Sequence, residues 1–69
     1  MNIEIGKTYR VTHARKGTFT AKVTGLCGAW VDLEVIDGEA AGLRGDVLAA
    51  AGDPITVRSD MCLFTRVET

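Results

Sequence analysis

The side chains that could carry chemistry are few and lie far apart in the sequence. His13 is the single histidine, and Cys27 and Cys62 are the two cysteines. A cysteine nucleophile needs a base held against it, and a metal site needs several ligands at characteristic spacings such as C-x-x-C. His13 and Cys27 fall near opposite ends of the first pair of strands, and no such ligand spacing occurs. We therefore predict no enzymatic activity, no metal and no cofactor, and we expect His13 to be partly buried and bonded to a backbone group.

Four cationic residues cluster on the first predicted hairpin, where they could contact phosphates: Arg10, Arg15, Lys16 and Lys22. The whole chain has eight Lys and Arg against nine Asp and Glu, a formal net charge of −1. A chain this close to neutral has no general attraction to nucleic acid, so any phosphate contact must be local. One of the two functions that the sequence suggests is therefore a nucleic-acid-binding barrel that uses these four residues, with Trp30 as an aromatic addition.

A second candidate surface combines large apolar side chains with one arginine, as the cores of protein interfaces do. Its members are Trp30, Leu43, Arg44, Val47 and Leu48. Two orientations of Trp30 stay open: it points outward from its strand, or it folds over the end of the sheet as core. The favoured function is a small non-enzymatic binding or assembly module that contacts a protein partner, and homo-oligomerisation stays open.

The elements that position these residues are strands with a period of two. Residues 7–14, 17–24 and 30–36 alternate apolar and polar side chains, which is typical of half-buried strands. Two three-residue turns, at residues 15–17 and 26–28, each end in glycine, the residue that adopts the left-handed conformation with least strain. These patterns predict two consecutive hairpins with one shared apolar face.

The turn lengths also predict a register. They set Val11 opposite Ala21 and Val23 opposite Val31, and they place Arg10, Lys22 and Asp32 in one row on the outer face, in the order of the strands. Two cations side by side repel each other, and in this row Asp32 gives Lys22 a neighbour of opposite charge.

Residues 38–53 form a long connector without a regular period. Asp46 is a candidate N-cap for a short helical turn over residues 47–51. The apolar residues of the connector either cover the open end of the sheet or project as binding anchors, and the two interpretations are compatible. Residues 55–58 and 62–67 then predict a fourth and a fifth strand, joined by a tight connection.

The order of these elements resembles that of the SH3-like small β-barrel group, which includes Tudor-like and KOW-like modules. The shared features are a three-stranded meander, a long connector, a fourth strand, a tight turn and a last strand. The resemblance implies an all-β fold, either a small five-stranded barrel or a strongly bent antiparallel meander. It rests on strand order and implies no functional residue.

Length and hydropathy predict the number of domains and the cellular location of the protein. A chain of 69 residues forms one domain, residues 1–69, with little room for a large core. The first residues lack the basic and apolar segments of a secretory signal, and the longest apolar run, residues 47–51, is too short to span a bilayer. We therefore expect a cytoplasmic protein with reduced cysteines and no membrane contact.

Overall fold

The computed structural model describes residues 3–42 and 44–67, and the described chain is an antiparallel β structure. Its elements are β1 (Thr8–His13), β2 (Gly17–Cys27), β3 (Trp30–Ala41), β4 (Val47–Ala50), β5 (Pro54–Arg58), a 3-10 turn (Ser59–Met61) and β6 (Cys62–Arg66). The prediction of an all-β fold is confirmed, but the count of five strands is wrong because the connector contributes a sixth. In the part of the chain that the structure describes, no helix is long and apolar enough to cross a membrane.

β3 organises the sheet because it is long enough to pair with three strands. β2 runs along one side of it, while β5 pairs with residues 30–34 and β4 with residues 39–41 on the other side. β1 pairs with β2, and β6 pairs with β1. The pairing of the described strands therefore runs β4-β3-β2-β1-β6, with β5 beside β3, and does not close into a barrel.

The hydrophobic core lies on the face that the alternation predicts. Successive inward positions of β1, β2 and β3 are buried, and fully burying one large apolar side chain contributes about 1.5–3 kcal/mol. The core residues are Tyr9, Val11, Phe19, Ala21, Val23, Val31, Leu33, Val35, Ala40, Ala49, Val57 and Cys62. The predicted apolar face of the first three strands is confirmed.

The first hairpin keeps its predicted faces, but its register is wrong by two residues. Val11 lies opposite Phe19 and not opposite Ala21. The loop consists of residues 14–16, and Gly17, with a φ of 79°, is already the first residue of β2. Because side chains repeat with a period of two, a shift of two residues leaves every side chain on its original face. The alternation therefore could not distinguish the two registers.

The second hairpin is also shifted, and its turn is shorter than predicted. Its loop is the two residues 28–29, and Val23 pairs with Leu33 in place of Val31. Gly28 has a φ of 58° at the first position of this loop, which is where type II′ hairpin turns place glycine. Two irregularities in the β2–β3 register, between Thr20 and Ala21 and between Val23 and Gly25, add an offset that the alternation does not reveal.

The predicted row of Arg10, Lys22 and Asp32 does not form. Arg10 lies opposite Thr20, and Lys22 lies opposite Glu34 on β3. Lys22 therefore has an acidic cross-strand neighbour, as expected, but a different one. The cause is the register shift of both hairpins.

The connector contains a strand where the sequence predicts a helical turn. Asp46 precedes β4 and caps no helix, and β4 pairs with residues 39–41. Four apolar residues are too few for periodicity to separate helix from strand, and alanine favours a helix when nothing else decides. Here β3 extends to Ala41, beyond its predicted end at residue 36, and its backbone groups pair with β4. Tertiary pairing therefore overrides the local preference.

Candidate functional site

The pairing of β5 with the start of β3 places an arginine over the single tryptophan. Trp30 and Arg58 are cross-strand partners, and the guanidinium carbon of Arg58 lies 5.7 Å from the centroid of the Trp30 ring. This distance is within the range of a cation–π interaction. Trp30 exposes 50% of its surface, so its outward orientation is right and its interpretation as core is wrong.

The 3-10 turn joins this pair of residues to the tip of the first hairpin. The backbone N–H of Ser59 donates to the carbonyl of Ala29 at 2.8 Å, which fixes the turn against the β2–β3 loop. The backbone N–H of Ala14 donates to the carbonyl of Met61 at 3.0 Å, which fixes the other end of the turn against the hairpin tip. The 3-10 turn therefore holds the hairpin tip and the β2–β3 loop, which flank opposite ends of β2, close to each other.

Between these segments lies a groove with a volume of about 200 Å³. We call it the tip groove; its lining residues are His13, Arg15, Lys16, Trp30, Thr56, Val57, Arg58 and Met61. Among these described residues, three carry a positive charge at neutral pH and none carries a carboxylate. The groove therefore combines a local excess of cations with an accessible aromatic ring, on a chain that is almost neutral overall.

Two carboxylates stand beside the tip groove, and each has a partner. Asp60 accepts from Arg58, with 3.2 Å between its Oδ2 and the arginine Nη2, and both side chains are exposed. An exposed pair of this kind contributes little to stability and is easily exchanged for another partner. Asp32 accepts a 2.7 Å hydrogen bond from the hydroxyl of Thr56. The positive side of the groove is consequently the hairpin tip, where Arg15 and Lys16 lie.

His13 shapes the hairpin tip. It is buried, and its Nδ1 accepts a 2.9 Å hydrogen bond from the backbone N–H of Arg15. The prediction of a buried histidine satisfied by a backbone group is confirmed. Burial lowers the pKa of His13, and the charges of Lys16 and Arg15 lower it further. The imidazole is therefore neutral near pH 7, when its Nδ1 can accept the bond that holds the tip.

The two cysteines occupy different environments. Cys62 lies opposite His13 in the β1–β6 pairing and is buried. Burial raises the pKa of the Cys62 thiol; Lys16 opposes that shift and Asp60 adds to it. A protonated, buried thiol is a poor nucleophile. Cys27 is exposed and is the last residue of β2, at the opposite end of that strand from the hairpin tip.

Within residues 3–42 and 44–67, no three His, Cys, Asp or Glu side chains converge in a way that could hold a metal.

The structure divides the predicted set of cations. Arg15 and Lys16 line the tip groove, whereas Arg10 and Lys22 are exposed on the outer face of the meander and do not line it. Arg58 is the cation of the groove that sequence reasoning missed. The position of Arg58 beside Trp30 depends on the pairing of β3 with β5, and no local sequence pattern predicts a pairing between such distant segments.

The predicted protein-binding surface is also divided. Val47 and Leu48 each expose 53% of their surface on β4, with exposed Arg44 in the preceding turn. These two apolar residues therefore project outward, and the interpretation that they cover the end of the sheet is wrong for them. Leu43 lies outside the described residues. Trp30 belongs to the opposite end of β3 from the residue that pairs with Val47, so it does not extend this surface.

No protein-family model matches this chain, and no curated protein or solved structure shows significant similarity to it. A functional assignment must therefore come from the geometry and charge of the chain's own surfaces.

Proposed function

We propose that this protein is a small non-enzymatic module that binds a nucleic-acid strand through phosphates held at the tip groove. The observation that carries the proposal is the convergence of Arg15, Lys16 and Arg58 on one groove of about 200 Å³. Arginine and lysine supply many of the contacts that proteins make to phosphate, and the guanidinium group can engage two phosphate oxygens at once. The proposal narrows the predicted nucleic-acid surface: it keeps the hairpin tip, adds Arg58, and leaves out Arg10 and Lys22.

We also place residues 1–69, as a single domain, in the SH3-like small-barrel group, acting in the cytoplasm. Support for this placement is the order of the elements: a β1–β2–β3 meander, a connector that contains β4, then β5, a 3-10 turn, and β6 returning to pair with β1. The cysteines, which are both free thiols, are compatible with a reducing compartment.

The test is a titration of labelled single-stranded oligonucleotide at several salt concentrations, with the wild-type protein and a double variant. Three cations on a single strand predict a slope of about −2 for log Kobs against log salt, since each phosphate contact contributes about −0.7. Arg15→Gln with Lys16→Gln should reduce the slope to about −0.7. Affinity should fall at least about tenfold, because hydrogen bonds to charged groups are worth about 1.5–3 kcal/mol each.

The matched control is Arg10→Gln with Lys22→Gln, which removes the same charge from the outer face. We expect this control to retain most of the affinity. Equal losses in the two double variants would mean that binding follows overall charge, and the assignment to the tip groove would fail. Absence of oligonucleotide binding at low salt by the folded wild type would overturn the proposed function itself.

The edge strand β4 favours a second candidate function, a protein-binding module. Among the described strands β4 pairs with β3 alone, and it carries the half-exposed Val47 and Leu48. An extended segment of a partner could add to such an edge and place its own apolar side chains against these two. Arg44 would lie at the rim of that contact.

The two candidate functions are separated by affinity capture with and without nuclease, using three immobilised proteins: the wild type, Val47→Pro and the Arg15/Lys16 double variant. A proline at the edge removes a backbone donor and blocks strand addition. A partner that survives nuclease and is lost only with Val47→Pro supports the protein-binding module. A partner lost with nuclease and with the tip variant supports the nucleic-acid module.

A further inference from the structure

Resting on the proposed function, we infer that the ligand of the tip groove is single-stranded, with one unpaired base stacked on Trp30 and the neighbouring phosphates on Arg15 and Lys16. A double-stranded ligand, in which the bases are already stacked and paired, would leave the Trp30 ring without a role. The inference therefore names the form of nucleic acid and the residue that recognises it.

The position of Trp30 suits a stacking platform. It is the first residue of β3, directly after the two-residue loop, and half of its surface is open to solvent. The guanidinium of Arg58 lies over one face of the ring, 5.7 Å from its centroid, and the half-exposed indole leaves ring surface open to a base. An aromatic ring stacks on any base, and an arginine at its face adds a cation–π contribution.

The number of cations argues against a duplex ligand. Proteins that hold duplex DNA by its backbone neutralise about six to ten phosphates, whereas the tip groove supplies three cations on a chain of net charge −1. Binding must therefore gain from an uncharged contact, and the Trp30 ring is the accessible aromatic surface in the groove.

The carboxylates beside the groove also favour a single-stranded ligand over a duplex. Asp60 pairs with Arg58, and Asp32, two residues after Trp30, holds Thr56. Both would repel the second phosphate backbone that a rigid duplex brings to the site. A single strand can turn its phosphates toward the hairpin tip and present only a base to the Trp30 side.

The experiment compares four ligands: a thymidine oligomer of about ten nucleotides, a uridine oligomer, an abasic oligomer with the same phosphates, and a duplex. Binding is followed by the anisotropy of a label on each oligomer. Because the chain has one tryptophan, its intrinsic fluorescence reports stacking on Trp30 directly. The protein variants are Trp30→Ala and, as the matched control, Trp30→Phe, which keeps an aromatic face. Position 30 is exposed enough that both substitutions leave the core intact.

We expect the thymidine or uridine oligomer to quench the tryptophan fluorescence of the wild type. Trp30→Ala should bind it about 10- to 100-fold more weakly, while Trp30→Phe retains most of the affinity. The abasic oligomer should bind weakly and equally to the wild type and Trp30→Ala. Preference for thymidine or for uridine identifies DNA or RNA as the ligand and supports the inference in either case.

Two results would overturn the inference and leave the proposed function standing. One is equal affinity for the abasic and thymidine oligomers without quenching. The other is binding of the duplex as tightly as the single strand, with no effect of Trp30→Ala. Failure of all four ligands to bind would overturn the proposed function, which keeps the two failures distinct.

Discussion

The three-stranded meander β1–β3 and the edge strand β4 are both rich in apolar residues, yet they place them in opposite ways. In the meander, Leu33 and its inward neighbours are almost completely buried, whereas on β4 the two largest side chains, Val47 and Leu48, expose about half of their surface. The buried residue of β4 is the small Ala49. The meander alternates apolar with polar residues and so sorts them between two faces, but an unbroken apolar run must send some of them outward. Stability should therefore reside in the meander, and accessible surface at the edge.

The strongest test of this contrast is a cavity in the meander. Leu33→Ala should lower the free energy of unfolding by about 2–5 kcal/mol, because a fully buried leucine loses its packing and leaves a void. A domain of this length has about 3–10 kcal/mol in total, so this loss removes a large share of its stability and should clearly lower the urea midpoint. Urea unfolding followed by circular dichroism measures the change. Thr20→Ala, on the outer face, should cost less than about 1 kcal/mol, and equal losses at both positions would contradict the assignment of faces.

The second test lies where β3 leaves the meander and approaches β4. Gly38 has a φ of 77° and packs opposite Phe19, so Gly38→Ala forces an L-residue into the left-handed region. We expect a loss of about 1–2 kcal/mol in unfolding free energy. The matched control is Gly42→Ala: this glycine is not among those with positive φ, and a side chain there would meet only ordinary contacts, the nearest at 3.8 Å. A loss at position 42 as large as at position 38 would contradict the assignment of the cost to the left-handed backbone of Gly38.

The same contrast explains which parts of the fold could be predicted. Alternation identified the buried face of the meander correctly, because that signal belongs to each strand alone. It could not identify the register, since shifting Val11 from Ala21 to Phe19 leaves every side chain on its face. It also could not identify β4, because the extended conformation of residues 47–50 comes from pairing with β3, which no local pattern encodes.

In the candidate site too, local features could be predicted from the sequence and long-range contacts could not. His13 and its backbone bond were predictable, because a lone histidine on an apolar face needs a partner close in the chain. The meeting of Arg15 with Trp30 and Arg58 was not predictable, because it depends on two long-range pairings, β1–β6 and β3–β5, and on the 3-10 turn. Sequence reasoning named Arg15, Lys16 and Trp30 as candidate binding residues, but it did not find Arg58, which only the β3–β5 register places beside them.

The third test concerns the stability of the hairpin tip and its dependence on pH. The pKa of His13 is lowered in the folded protein by burial, and by the neighbouring Lys16 and Arg15, whereas the unfolded chain titrates near the ordinary value of about 6.5. The unfolded state therefore binds the proton first as the pH falls. Stability from this group is fully present above about pH 6.5 and is lost progressively as the pH falls through the lower, folded pKa.

Urea unfolding between pH 8 and pH 5 measures this dependence in the wild type and in His13→Gln. The other ionisable group opposite His13 is the thiol of Cys62, whose raised pKa keeps it neutral over this range. Between pH 8 and pH 5, we expect the unfolding free energy of the wild type to fall by less than the amount that the Gly38→Ala substitution costs. Over the same pH range, the unfolding free energy of His13→Gln should fall measurably less than that of the wild type. Identical pH profiles would assign the acid sensitivity to the carboxylates and not to the tip.

The smallest effect should come from the edge strand. Leu48→Ala removes a side chain that is half exposed, so little buried surface is lost, and substitutions of this kind change stability by about 0.5 kcal/mol or less. The informative comparison is Ala49→Leu on the same strand, where the side chain points inward and is almost fully buried. Forcing extra methylenes into that packed position should cost about 1–3 kcal/mol.

If Leu48→Ala instead destabilises the protein as much as Leu33→Ala does, Leu48 is buried in solution, most simply by a second copy of the chain. The unfolding midpoint of the wild type would then rise with protein concentration. A midpoint independent of concentration, together with a negligible cost for Leu48→Ala, would establish β4 as an accessible edge and keep the meander as the source of stability.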